Sequence, residues 1–325
     1  MVILVTGCSG FVGKSLIPYL LADGHSVVGI DRVEYQGPSL SHFLRIDLLD
    51  CCEYLQELGD VDCIFHLAAA RADWGIADEE YFRDNVSVTN EVIRLGKKLE
   101  VKNWFFYSSV AVHGIQDAPC TEDAPFAPIG AYGQSKVECE LLFHELYRQN
   151  PDNSIIILRP SVIFGPNNPL NTNVYRLIHT ISKRRFIMVG RGNEIKTLSY
   201  IENLVDAHMF LLRWQKEHLK TGVVTLNYVE EPRISTFELV SYIHGFLNRK
   251  QTRFYLPLSV ASFLAYLFDI IAIITRVDVP ITSARIKKFC WSTNFDSSKI
   301  RALGFSPKVA IPDAIRSTVD WYKRG

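Results

Sequence analysis

The chain has 325 residues, 48% of them hydrophobic and 22% charged, with 14 prolines and no long polar tract. That excludes a small disulfide-stapled scaffold and a disordered chain, and leaves one large α/β domain or a cofactor domain with a smaller lobe. Lys and Arg together number 35 and so do Asp and Glu, so the broad positive field that nonspecific nucleic-acid binding needs is missing.

The chain begins on a short apolar run, Val2 to Val5, without the basic region and apolar stretch of a signal peptide. Seven cysteines (8, 51, 52, 63, 120, 139, 290) form no CxxC pair and no Cys/His spacing suited to zinc. Reduced thiols, no metal and a cytoplasmic location are therefore expected. Directly after the first run comes Thr6-Gly7-Cys8-Ser9-Gly10-Phe11-Val12-Gly13, a GxxGxxG spacing that opens a helix predicted at about 12–24. Gly7 and Gly10 let backbone approach a pyrophosphate on the positive end of that helix, and Gly13 lets helix and strand pack closely.

A second run, Val27 to Ile30, ends at Asp31, 18 residues beyond Gly13. A carboxylate there can accept both ribose hydroxyls of NAD and repels the 2′-phosphate of NADP; the adjacent Arg32 weakens that preference without reversing it. A third run is Cys63 to Leu67, followed by a helix predicted at 79–99. Trp104 to Tyr107 then delivers Ser108 and Ser109 to the C-terminal end of a strand, where open α/β sheets place ligands. A helix predicted at 131–149 carries Tyr132 and Lys136 four residues apart, on one face. An ammonium beside a phenol lowers the cost of its ionisation, so the pair can serve as general base and acid. The run Ile155 to Leu158 follows.

Strands alternating with helices predict a Rossmann-type, doubly wound parallel sheet over residues 1–160, its helices continuing to about 182. After Pro160 the pattern changes to Gly165-Pro166-Asn167-Asn168-Pro169, shorter helices and a strand near Val223 to Tyr228. A smaller C-terminal α/β substrate lobe, 161–325, with parts returning to the core, is the expectation. No repeat at solenoid periods occurs. The most apolar segment, Phe254 to Ile274, contains Pro257 and Asp269, which favours a buried helix of the small lobe, then a helix lying on a membrane surface, over a span. Arg285, Lys287 and Lys288 suit either anionic head groups or an ordinary solvated face.

Nearly end to end, the chain resembles an extended short-chain dehydrogenase/reductase of the sugar epimerase/dehydratase type. The matching pieces are TGCSGFVG (6–13), Asp31, Asp47-Leu48, HLAAA (66–70), Asn85, SSVAVHG (108–114), YGQSK (132–136) and LRPSVIFGP (158–166). The resemblance implies that Ser109, five before Gly114, joins Tyr132 and Lys136 as the catalytic set. It also implies that Phe11, Val12, Arg32, Pro160 and Val162 lie against the cofactor, that Asp47 and Leu48 flank adenine, and that Leu67, Ala68 and Ala69 line its pyrophosphate and ribose side. Tyr132 and Lys136 would touch the cofactor as well, and Ser109 and Val110 the substrate. His66 is expected to be structural.

Residues 171–178, 184–208 and 283–300 resemble bacterial enzymes of polysaccharide assembly, which makes Asn173, Arg191 and Lys196 candidates for sugar and diphosphate contacts. There are departures. His113 stands where the family has tyrosine and is expected as a packed or solvated replacement, Val162 replaces an asparagine, and Lys196 replaces an arginine, supplying a point charge without the bidentate fork. The implied activity is an NAD-dependent 4-epimerase of a diphosphate-linked N-acetylhexosamine, polyprenyl-linked or UDP-linked, acting through a 4-keto intermediate in O-antigen or other surface polysaccharide synthesis. The alternatives are an NAD(P)H-dependent 4-keto-sugar reductase or dehydrogenase, and a non-catalytic NAD-binding sensor. A homodimer, with peripheral membrane association through 254–274, is the expected assembly.

Overall fold

A computed structural model describes residues 1–71, 76–251, 255–261, 263, 266 and 291–324. Most of 254–274, together with Arg285, Lys287, Lys288 and Cys290, lies outside the described residues.

The first half of the chain lays down β1 (Val2–Thr6), α1 (Phe11–Ala22), β2 (Ser26–Asp31), β3 (His42–Arg45), β4 (Cys63–His66), α2 (Val88–Lys98) and β5 (Asn103–Tyr107). Next come β6 (Gln116–Cys120), α3 (Gly130–Gln149) and β7 (Ser154–Pro160). The main sheet has seven strands in the order β12-β7-β5-β4-β1-β2-β3, where β12 is Gly222–Tyr228, and every adjacent pair is parallel. Strand order reverses beside β1, the switch point at which such sheets open a crevice beyond their carboxyl ends.

The strands are near-continuous apolar runs because helices cover both faces. All seven residues of β7 are buried. Alternation along β5 sends Phe105 and Tyr107 into one core and Trp104 and Phe106 into the other. In the first core Phe65 stacks on Phe105 at 4.2 Å; in the second Phe106 stacks on Phe143 at 4.7 Å. Trp104 lies so close to α2 that a Cβ on Gly96 would stand 2.1 Å from its ring, so the small residue is required there for fit rather than for helicity.

Two elements differ from expectation. The single helix predicted at 79–99 is a short turn, Asp78–Tyr81, then a π-helical stretch, Phe82–Ser87, then α2. And the strand Gly222–Tyr228, expected beside the small lobe's helices, instead completes the main sheet against β7. Between them runs an excursion with β8 (Val162–Phe164), α4 (Asn173–Ser182), β9 (Met188–Val189), β10 (Ile195–Lys196), β11 (Leu198–Tyr200) and α5 (Ile201–His218). α5 returns to pack on α1. Beyond the sheet, Ile195–Lys196 pairs with Ile234–Ser235 and with Thr293–Phe295, and the last of these pairs with β6, so the small sheet draws on four distant parts of the chain.

Candidate active site

The phosphate loop has the form its glycines imply. Gly7 lies at φ +72°, and a Cβ on it would meet the Ala68 nitrogen at 2.7 Å; a Cβ on Gly13 would meet the Gly7 oxygen at 2.5 Å. Gly10 caps α1 with no side-chain bond, and the first turn holds no acid, so the helix presents bare amides. That donor set suits a diphosphate. Asp31, at the end of β2, accepts from the amides of Ser9 (2.9 Å) and Val33 (3.0 Å), which fixes its carboxylate at the mouth of the loop where a ribose diol fits. Phe11, Val12, Leu67, Ala68 and Ala69 flank this loop, each partly exposed, while Pro160 is buried and Val162 half-buried at the carboxyl end of the sheet. Asp47 caps the turn that begins at the buried Leu48. These residues fit an NAD molecule.

Ser109 stands two residues beyond β5, its Oγ accepting from the Ala111 amide at 3.2 Å to cap the turn Val110–His113. Val110 is buried beneath it. That turn packs on the first turn of α3, where a Cβ on Gly133 would come within 2.8 Å of the Ala111 oxygen. The close approach is open only to a residue with no side chain, and it sets the first turn of α3, which holds Tyr132, against the serine's turn. Tyr132 is half-buried, its ring edge-on to Tyr81 at 6.0 Å. One turn on, Lys136 is buried, and its Nζ donates to the Tyr107 carbonyl at 2.8 Å, just before the serine pair. Burial pushes the lysine's pKa down, against the attraction of Cys139 and Glu140. The turn that Ser109 caps and the helix that carries Tyr132 and Lys136 are thus in contact beyond the end of β5.

Two hydrogen-bond chains run behind it. Thr6 Oγ1 and the Thr89 hydroxyl bracket His66 at 2.7 and 3.0 Å, and Thr89 passes on to Cys139 at 3.3 Å, tying the phosphate loop to α3. Burial, with Lys136 nearby, pushes His66 down to about 3, so it is a neutral structural residue. In the second chain Asn85 accepts from the Ala70 amide (2.7 Å) and donates to the Ala70 carbonyl (3.2 Å) and Ser135 Oγ (2.8 Å); Ser135 in turn donates to the Tyr132 carbonyl at 2.9 Å. Asn85 sits in the π-helical turn, an irregularity frequent at functional sites.

Beneath the serines, Glu140 is fully buried. Its carboxylate accepts from Ser108 Oγ and from both Nε (2.8 Å) and Nη2 (2.6 Å) of Arg159. Arg159 Nη1 also donates to His113 Nε2 at 2.8 Å and to the Glu122 carbonyl at 3.0 Å. An arginine can only donate, so His113 Nε2 accepts and its Nδ1 donates to the Pro125 carbonyl, 3.2 Å away. His113 is a packed replacement for the family tyrosine, buried and neutral, its pKa lowered by burial.

Asn173, Arg191 and Lys196 fall on three separate elements. Asn173 is the exposed first residue of α4 and Arg191 is exposed in the loop before β10. Lys196 extends its Nζ to the Trp291 carbonyl, which engages the ammonium expected at the diphosphate. Asn85, Glu140 and Arg159 were not among the expected site residues. Glu140 carried a signal, its four-residue spacing from Lys136; Asn85 and Arg159 lay within family motifs that assigned them no role.

The model of the NAD dependent epimerase/dehydratase family matches residues 3–226. The chain is 32% identical over 325 residues to an N-acetyl-alpha-D-glucosaminyl-diphospho-ditrans,octacis-undecaprenol 4-epimerase of Escherichia coli O157:H7, covering 98% of this chain and 94% of that one. It is 24% identical to a mouse (Mus musculus) sterol-4-alpha-carboxylate 3-dehydrogenase, decarboxylating, over 97% of this chain and 89% of that one. The solved UDP-glucuronic acid 4-epimerase of Bacillus cereus, in complex with NAD, superposes with a TM-score of 0.77 at 24% identity, over 100% of this chain and 99% of that one, and shares the fold.

The chain belongs to the NAD dependent epimerase/dehydratase family. It is an NAD-dependent enzyme of the extended short-chain dehydrogenase/reductase type.

Proposed function

We propose that the protein is a sugar 4-epimerase acting on a diphosphate-linked N-acetylhexosamine, with Ser109, Tyr132 and Lys136 as its catalytic residues. The observation that carries this reading is the corner where Lys136 binds the Tyr107 carbonyl and Gly133 abuts the serine's turn, beside a loop shaped for a diphosphate. The part of 161–325 that does not return to the core, as α5 and the strand Gly222–Tyr228 do, supplies the substrate lobe, with Asn173, Arg191 and Lys196 as its polar candidates. Freeing Lys196 from the Trp291 carbonyl is then part of substrate binding.

When bound, NAD⁺ supplies the hydride acceptor for C4 and, once reduced, the donor. Tyr132 removes the proton of the C4 hydroxyl while Ser109 Oγ hydrogen-bonds the same oxygen. A tyrosine with a pKa of about 10 costs about 4 kcal/mol to ionise at neutral pH, and the ammonium of Lys136, one turn away, offsets part of that cost. The product is a 4-keto sugar. Held by its diphosphate, the sugar turns its other face to the crevice, and Tyr132 returns the proton to the inverted carbinol. No net oxidation occurs.

The near full-length relation to an enzyme whose name specifies an undecaprenol carrier supports a lipid-linked substrate. So does the apolar surface of the segment after Pro257, where Leu258, Val260, Phe263 and Tyr266 are 43–63% exposed. Among the described residues no helix is long and apolar enough to cross a membrane; the association in this reading is peripheral. A homodimer is part of the same reading. Incubation with undecaprenyl diphosphate N-acetylglucosamine, and separately with UDP-N-acetylglucosamine, followed by sugar analysis, tests the reading. Inversion of either sugar is expected; loss of the idea follows if neither is inverted. Because a dehydrogenase is also among the relatives, net consumption of NAD(P)H with a 4-keto sugar would favour the reductase instead.

A further inference from the structure

At the adenosine end of the crevice, Arg32 directly follows the ribose-facing Asp31. A guanidinium in that place ordinarily recognises the 2′-phosphate of NADP, for which its planar fork is well matched. Here the fork is engaged. Arg32 Nη1 and Nη2 meet the two carboxylate oxygens of Asp84 at 3.1 and 2.9 Å, a bidentate pair, and its Nε lies 3.3 Å from Asp47. Arg83 braces the acids from the other side, at 3.5 Å from Asp47 and 3.8 Å from Asp84. Asp84 belongs to the π-helical stretch, and its neighbour Asn85 is bonded to Ala70 and Ser135. The Asp84 side chain is 18% exposed and that of Arg32 45%, so the acid is the more enclosed of the two.

We propose that Asp84 is a cofactor-selectivity residue: by holding Arg32 in a bidentate pair, it withholds that guanidinium from the 2′-phosphate of NADP. Selection for NAD is then made twice, by the repulsion of Asp31 and by the capture of the guanidinium that follows it in sequence. The inference rests on NAD use by the family and not on the identity of the sugar.

The full chain is equilibrated with an equimolar mixture of NAD⁺ and NADP⁺, and the bound ratio is read by chromatography after removal of free nucleotide. Asp84→Asn is expected to raise the bound NADP⁺/NAD⁺ ratio by about tenfold or more, the scale of one hydrogen bond to a charged group. Asp84→Glu, which keeps the pair, leaves the ratio within about threefold of the original. Adding Arg32→Ala to Asp84→Asn returns it to that range. Asp84→Ser is read in the same way should the asparagine variant not fold. An unchanged ratio on loss of the carboxylate, or a gain that survives removal of Arg32, overturns the proposal.

Discussion

Individual side chains divide into those that face the crevice and those that hold them there. Tyr132→Phe is expected to lower kcat by at least about a hundredfold while bound NAD is retained, the scale of lost acid–base catalysis; a non-catalytic NAD sensor would be indifferent. Glu140→Gln leaves Arg159 buried beside a neutral partner, and chemical denaturation should show a loss of about 3–5 kcal/mol. Replacing both by methionine should cost less than either single change, because it is the unpaired charge that is expensive. Acid sensitivity follows from the buried histidines. His66 is pushed to about 3 and His208, stacked on Tyr107 with its Nδ1 bonded to the Leu204 carbonyl, to about 4. Unfolded histidines titrate near about 6.5, so from that pH down to the folded value the unfolded chain binds a proton that the folded chain refuses. Stability therefore falls with pH in that window, by up to about 1.4 kcal/mol per unit for each histidine. Denaturation midpoints at pH 7 and pH 5 should show it, and His208→Phe, which also removes an unpartnered buried Nε2, should flatten the slope. The glycines, Asp31, Tyr132 and Lys136 were legible because each is tied to a local period. Asn85 and Arg159 were not, since their partners lie 15 to 50 positions away.

Among the elements, the contact between α3 and the Val110–His113 turn decides where the phenol stands. Gly133 is helical, so alanine there would improve helix propensity, yet its Cβ would press on the Ala111 oxygen and on Pro128 at 2.8 and 2.9 Å. Gly133→Ala is expected to cost about tenfold to a hundredfold in kcat through misplacement of Tyr132, with NAD binding intact. Gly96→Ala against Trp104 should instead cost about 1–3 kcal/mol of stability and leave chemistry alone. Long elements could be read from the chain because α1 and α3 run for 12 and 20 residues, too long for strands. The strands Met188–Val189, Ile195–Lys196 and Ile234–Ser235 have two residues each, too few to show alternation. The π-helical turn was invisible because a helical pattern read at 3.6 residues per turn runs straight through it.

At the scale of the whole molecule, the two halves are not strung in series. An epimerase of this kind should purify with NAD and act without added cofactor, whereas a reductase needs a fresh equivalent each turnover; cofactor content and an activity assay in its absence separate them. Sedimentation with liposomes containing anionic lipid, weakened when charges replace Leu258 and Phe263, would bear on the lipid carrier. The cofactor half was readable from residue order alone, apart from its last strand. That strand, Gly222–Tyr228, is separated from the end of β7 by 61 residues. During synthesis, then, β7 leaves the ribosome with one side hydrogen-bonded to β5 and the other bare, and stays so until the excursion has been made. A nascent chain stalled near residue 200 would expose an apolar edge of Ile155, Ile156 and Ile157 to other strands, making that interval the one in which misassembly threatens.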